Sequence, residues 1–187
     1  VIFLQRMIVH HEQAIFMSEM ADTRTNNETI LDLAKRIDVS QKDEINFMES
    51  WLKDRNEFQN ISNMDHQNHK VHSSMKMEGM ATPKQLNDLS YSKSTNFDRL
   101  FLQLMINHHD GALEMVEELK KYPGNANDPI LNEFVSDLIN DQGVEIERMN
   151  AILTDLSDDP RSGLAAGLFI AEEAILNMEL VTSLKKP

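Results

Sequence analysis

Two stretches of this chain place neighbouring histidines among methionines at helical spacing. Phe3 to Met17 reads FLQRMIVHHEQAIFM and carries Met7, His10, His11 and Met17; Phe101 to Met115 reads FLQLMINHHDGALEM and carries Met105, His108, His109 and Met115. The two are in register at an offset of 101 − 3 = 98 residues. On a helix turning about 100° per residue, Phe3, Met7, His10, Ala14 and Met17 share one stripe, and Leu4, Ile8, His11 and Ile15 the next. Met7 then lies one turn from both imidazoles, as does Met105 in the second copy. Buried imidazoles are costly without partners. Imidazole combined with thioether suits a soft ion, favouring Cu(I) or Ag(I) and tolerating Cu(II).

A third group lies between the copies. Met64 to Met80 reads MDHQNHKVHSSMKMEGM, with Met64, His66, His69, His72, Met75, Met77 and Met80 and almost no large apolar residue. The expectation is an exposed loop whose thioethers and imidazoles wrap an ion. The alternative is a low-complexity linker. All seven histidines fall in these three clusters. The 12 methionines in 187 residues compare with a usual share of roughly 2%. Thioethers also persist where thiols would oxidise, which favours a setting outside the cytoplasm, whether periplasmic, secreted or at the cell surface.

Composition narrows the chemistry. Cysteine is absent, so disulfides and thiolate sites are excluded. The net charge of −13 opposes binding to nucleic acid or anionic membranes, and attracts cations. No apolar run is long enough for membrane insertion. Neither Glu-x-x-His nor Gly-x-Ser-x-Gly occurs, which disfavours di-iron and hydrolytic chemistry and leaves an enzyme unexpected. Zinc would gain little from methionine.

The elements that must position these residues come from the repeat. Gln41, Glu44, Ile45, Met48 and Leu52 are answered by Gln142, Glu145, Ile146, Met149 and Leu153, so each copy reads as a helix pair. Helices are expected at about 2–23, 28–57, 95–121 and 128–156, with Asn27 and Asn127 as starts and Pro123-Gly124 as a break. A short helix from Pro83 to Leu89 is expected behind a Thr82 cap. Met48 with Glu44, and Met149 with Glu145, should face the histidine helices and complete a site or orient a ligand. The expected fold is all-α: a ferritin-like four-helix bundle built from two repeated hairpins. It would comprise residues 1–156, with repeats at about 1–58 and 95–156 and a Met/His-rich linker at 59–94. Residues 157–187 would form a C-terminal tail or the lead-in to a further domain. A chain that opens at Val1 inside a helical pattern suggests a processed or truncated N-terminus.

MEGMATPKQLNDL, followed by NFDRLFLQLMINHHDGALEM, resembles the bacterial domain-of-unknown-function family 305, which includes CopM-like copper-binding proteins. The resemblance spans most of residues 1–156. It implies a ferritin-like bundle, export, and a role in copper binding or resistance. It also implies Met7, His10, His11, Met17, Met105, His108, His109 and Met115 as ligands, with Met48 and Met149 as neighbours. The tail faintly resembles the lead-in to LVIVD-repeat surface proteins. The expected function is sequestration, storage or transfer of copper, the last through a transfer partner; oligomer formation stays open. The competing reading is a helical interaction module with structural histidines.

Overall fold

The computed structural model describes residues 1–57, 77–122, 124, 125 and 127–156. Met64, His66, His69, His72 and Met75, and the tail at 157–187, lie outside the described residues. The described residues form α1 (Ile2–Glu19), α2 (Ala21–Arg24), α3 (Glu28–Asp54), α4 (Pro83–Tyr91), α5 (Ser94–Lys120) and α6 (Pro129–Asp155), with no strand among them.

Local chemistry sets the boundaries. The helix expected over 2–23 divides at Met20, where Met20 N donates to Met17 O and Thr23 N to Met20 O at 3.3 and 3.2 Å, tightening one turn. Asn27 caps α3 by accepting from Thr29 N at 3.1 Å, while its Nδ2 donates to buried Asp98 at the same distance. One residue thus starts α3 and ties it to α5. α3 stops short of the expected residue 57. Asn56 sits at φ 57, Asn56 N donates to Lys53 O, and Glu57 N reaches back to Leu52 O; this is a Schellman ending with asparagine in the left-handed position. The cap of α6 is Asp128 rather than Asn127. Its carboxylate accepts from Leu131 N at 3.0 Å ahead of Pro129, and aspartate here also complements the helix dipole. Thr82 and Gln85 form the capping box of α4, the arrangement expected of Thr82.

The long helices make bundle-like contacts, α1 with α3, α5 with α6, and α1 with α5. Arg99 on α5 donates through Nε to Leu156 O at 3.0 Å and through Nη2 to the same oxygen, fastening the end of α6. Phe47 of α3 and Phe134 of α6 stack at 4.4 Å.

The apolar core divides in two. One cluster takes Ala14 and Met17 of α1, Ala21 of α2, Ile30 to Ile37 of α3, Phe97 to Met105 of α5 and Met149 of α6. The other takes Leu4, Met7 and Ile8, then Met48 and Leu52, Ala112 to Val116, and Leu131 to Leu138. Each long helix therefore passes from one cluster to the other, and α1 runs antiparallel to α3 and α5. Between the clusters every long helix contributes polar side chains. Among the described residues no helix is long and apolar enough to cross a membrane.

Phe101 is fully buried in the first cluster, whereas Tyr91 is 78% exposed. Phe101→Ala should lower unfolding stability by about 3–5 kcal/mol. Tyr91→Ala should change it by under about 0.5 kcal/mol. Urea denaturation of both variants measures the difference.

Candidate metal centre

The polar layer is built from positions that the repeat makes equivalent. His10 and His108 meet ring to ring, with centroids 3.8 Å apart and planes inclined at 33°. Residues 98 positions apart touch each other, so their contact marks a local two-fold relation between the copies. His11 lies 6.3 Å from His10, and His109 lies 6.2 Å from His108. All four side chains are buried. His10 faces inward as its stripe predicts; His11 and His109 are just as deeply enclosed, because α3 and α6 cover the adjacent stripe.

Each ring has one committed nitrogen. His11 Nε2 meets Glu44 Oε2 at 2.5 Å, and His109 Nε2 meets Glu145 Oε2 at 2.6 Å. His108 Nε2 donates to the His10 backbone oxygen at 2.7 Å, and His10 Nε2 donates to Glu78 O at 3.0 Å. A carbonyl or carboxylate oxygen accepts, so Nε2 of each ring carries a proton. That leaves Nδ1 as the second nitrogen of each ring. The Nδ1 atoms of His10, His11, His108 and His109 are all buried without a hydrogen-bond partner, as are Gln41 Oε1 and Gln142 Oε1. Buried polar atoms are ordinarily paired; here several unpaired acceptors share one layer. A carboxylate or carbonyl on the far nitrogen of an imidazole is the usual support of a metal ligand, fixing its tautomer and orientation.

Burial pushes the pKa of His10 down to about 3, with His11 adding to the effect. Burial, then neighbouring His10, holds His108 well below the ordinary histidine range. Both rings are therefore neutral at neutral pH, the state in which a metal ligand is ready.

Methionines flank the layer on both sides. Met7, Met48 and Met115 belong to one core cluster, and Met17, Met105 and Met149 to the other. Each group draws on three helices. Met17 therefore belongs with Met105 of the opposite copy, and Met115 with Met7, because antiparallel α1 and α5 place the far end of one motif beside the near end of the other. Among the described residues no three His, Asp or Glu side chains are grouped to hold a metal by themselves. The donors present fit a metal only when thioethers are counted, which is the chemistry of a soft ion.

The structure corrects the expectation for the end of the loop. Met77 is buried and Met80 half-buried, where an exposed ligand strand was expected. Residues 78–81 are drawn onto the bundle by two hydrogen bonds between Gln13 and Ala81 and by the His10–Glu78 bond. Sequence reasoning missed Gln13, Gly79 and Gly111, which make this crossing. The available signal was Gln13/Gly111, the one mismatch among the buried α1 positions from Leu4 to Met17. Glu44 and Glu145 lie where they can orient a ligand, as the helix register implies.

Above the usual histidine pKa of about 6.5, neutral burial of His10 and His108 carries no linkage penalty. Below it the unfolded chain takes up a proton at each ring, and the folded chain does not until the depressed pKa is reached. Stability of the metal-free protein should therefore fall with pH below about 6.5, by up to about 1.4 kcal/mol per pH unit for each ring. Replacing both rings (His10→Gln, His108→Gln) should flatten the slope of melting temperature between about pH 6.5 and 4.5; an unchanged slope would contradict the assignment.

The sequence profile of the family described as "Domain of unknown function (DUF305)" matches residues 1–153. Comparison with the curated proteins found no match. Solved structures are similar along most of the chain. A DUF305 protein from Streptomyces coelicolor, described as secreted, is 25% identical, with a TM-score of 0.67 over 82% of this chain and 91% of its own. CopM in its Cu(II)-bound form is 30% identical, with a TM-score of 0.63 over 83% of this chain and 95% of its own. CopM in its Cu(I)-bound form is 27% identical, with a TM-score of 0.60 over 82% and 94%. With the family profile spanning most of its length, this chain belongs to the DUF305 family.

Proposed function

We propose that this protein binds copper outside the cytoplasm, preferring Cu(I) and accommodating Cu(II), and that it sequesters, stores or transfers the ion without catalysing a reaction. The observation that carries the reading is the layer of four imidazoles, each anchored through Nε2, with four unpartnered Nδ1 atoms between two groups of buried methionines. The ligand set is drawn from His10, His11, His108 and His109 with Met7, Met17, Met48, Met105, Met115 and Met149. Glu44 and Glu145 orient His11 and His109. In this reading residues 1–156 are a ferritin-like four-helix bundle of two duplicated hairpins. The similarity to CopM, which has been seen with Cu(I) and with Cu(II), supports the choice of ion. A relative described as secreted supports the location.

The Met/His-rich loop is a second, separate binding element in this proposal, with Met64, His66, His69, His72, Met75, Met77 and Met80 as its donors.

One observation favours a second reading. All four Nε2 atoms are already satisfied, as they would be in an interaction module with structural histidines. That reading gives the four Nδ1 atoms no purpose.

Titration with Cu(I) under reducing conditions, against a competing chelator, separates the two. The native chain should bind Cu(I), and a variant with His10, His11, His108 and His109 all replaced by alanine should lose the bundle sites. Equal affinity in the two proteins would reject them. Glu44→Gln and Glu145→Gln, which keep the shape and weaken the support, should each reduce affinity by about 10–100-fold.

A further inference from the structure

Of the α1 residues buried between Leu4 and Met17, every one but Gln13 recurs unchanged 98 positions later. The exception is Gly111, and one piece of chain uses both differences. Residues Glu78–Ala81 cross α1 and α5 as a strap. Gln13 grips it with both ends of its amide: Nε2 donates to Ala81 O at 3.1 Å, and Oε1 accepts from Ala81 N at 2.7 Å. Gly111 makes room for it, since a Cβ there would stand 2.2 Å from Glu78 O. Gly79, at φ +74, lies so close to α5 that its own Cβ would stand 2.2 Å from Asn107 O. Only glycine fits these two positions.

The strap lies on the imidazole layer itself, because His10 Nε2 donates to Glu78 O at 3.0 Å. Among the described residues the second copy has no such cover: the equivalent nitrogen of His108 bonds to His10 O inside the bundle. The two-fold pattern of the layer is thus broken at one face. On that face the strap borders a cavity of about 360 Å³ lined by Glu78, Met80, Asp110 and Glu114. Freeing the strap breaks three hydrogen bonds to side chains. The four imidazoles of the layer are themselves enclosed, at 0–1% exposure.

We infer that Glu78–Ala81 is a releasable door through which a soft cation reaches the imidazole layer, with the adjoining carboxylate- and thioether-lined cavity as its vestibule. This rests on the layer being the metal site. Release of the Gln13 clamp frees Glu78 O from His10, and the ring turns toward an ion arriving from the cavity. Among the described residues the strap covers one copy of the duplicated donors.

Two variants of the full chain test this. Gln13→Ala removes the clamp. Gly111→Ala pushes the strap from α5 while favouring the helix that carries it. In the metal-free proteins, carbethoxylation of His10 by diethyl pyrocarbonate, followed residue by residue by mass spectrometry, should be at least tenfold faster in both variants. His109, held by Glu145, should keep its native rate, and the far-UV circular dichroism should be unchanged. In the Cu(I)-loaded proteins, transfer of copper to a chromophoric chelator should also be at least tenfold faster. Native labelling rates at His10 in both variants would overturn the strap as cover. Faster labelling with native copper-transfer rates would overturn it as the route. If the native chain takes no Cu(I) into the layer, the proposed function fails by that titration; if it does and the variants exchange at the native rate, only the door is rejected.

Discussion

The face contact between His10 and His108, 3.8 Å apart at the local two-fold relation of the repeat, constrains everything around it. Burial holds both of these imidazoles neutral, and each must find an acceptor for its one N–H. The acceptors come from what packs on either side: a helical carbonyl for His108, and a carbonyl of the strap for His10. The outer pair, His11 and His109, repeats the problem one residue along and solves it with Glu44 and Glu145 from the covering helices. Helix spacing, register and the crossing of residues 78–81 are therefore consequences of the same accounting of protons.

That accounting leaves a surplus of electron pairs. An unsatisfied buried acceptor costs about 1–3 kcal/mol, and this layer holds four unpartnered Nδ1 atoms and two amide oxygens. Leucine or phenylalanine in these places would make a continuous core without that cost. The layer instead divides the core into two clusters, each bringing three methionines from three helices. Imidazole nitrogen at the centre with thioether sulfur on both sides is a donor field matched to a soft cation. The chain's negative charge adds attraction without selectivity.

Much of this is legible in the sequence because the repeat carries it. The offset of 98 pairs His10 with His108, and a helical period puts both on an apolar stripe, so their burial follows from spacing alone. Glu44 and Glu145 are legible as residues of the facing helices. The asymmetry is harder to see, since it lies in how a distant segment returns to the bundle. Met77 reads as part of a polar, exposed stretch, yet it is buried next to a strap that Gln13 and His10 hold by hydrogen bonds and that Gly79 and Gly111 let approach α5. The pairing of Met17 with Met105 is likewise invisible to periodicity, which describes one helix at a time and not the direction of its neighbour.

The central claim is that the imidazole layer, with its flanking thioethers, holds the ion. Anomalous diffraction at the copper edge from a crystal of the Cu(I)-loaded protein tests it most directly. The account predicts a peak inside the bundle, within bonding distance of Nδ1 atoms of the four histidines and of at least one methionine sulfur. Copper confined to positions outside the layer, with all four Nδ1 atoms remote from any peak, would contradict it.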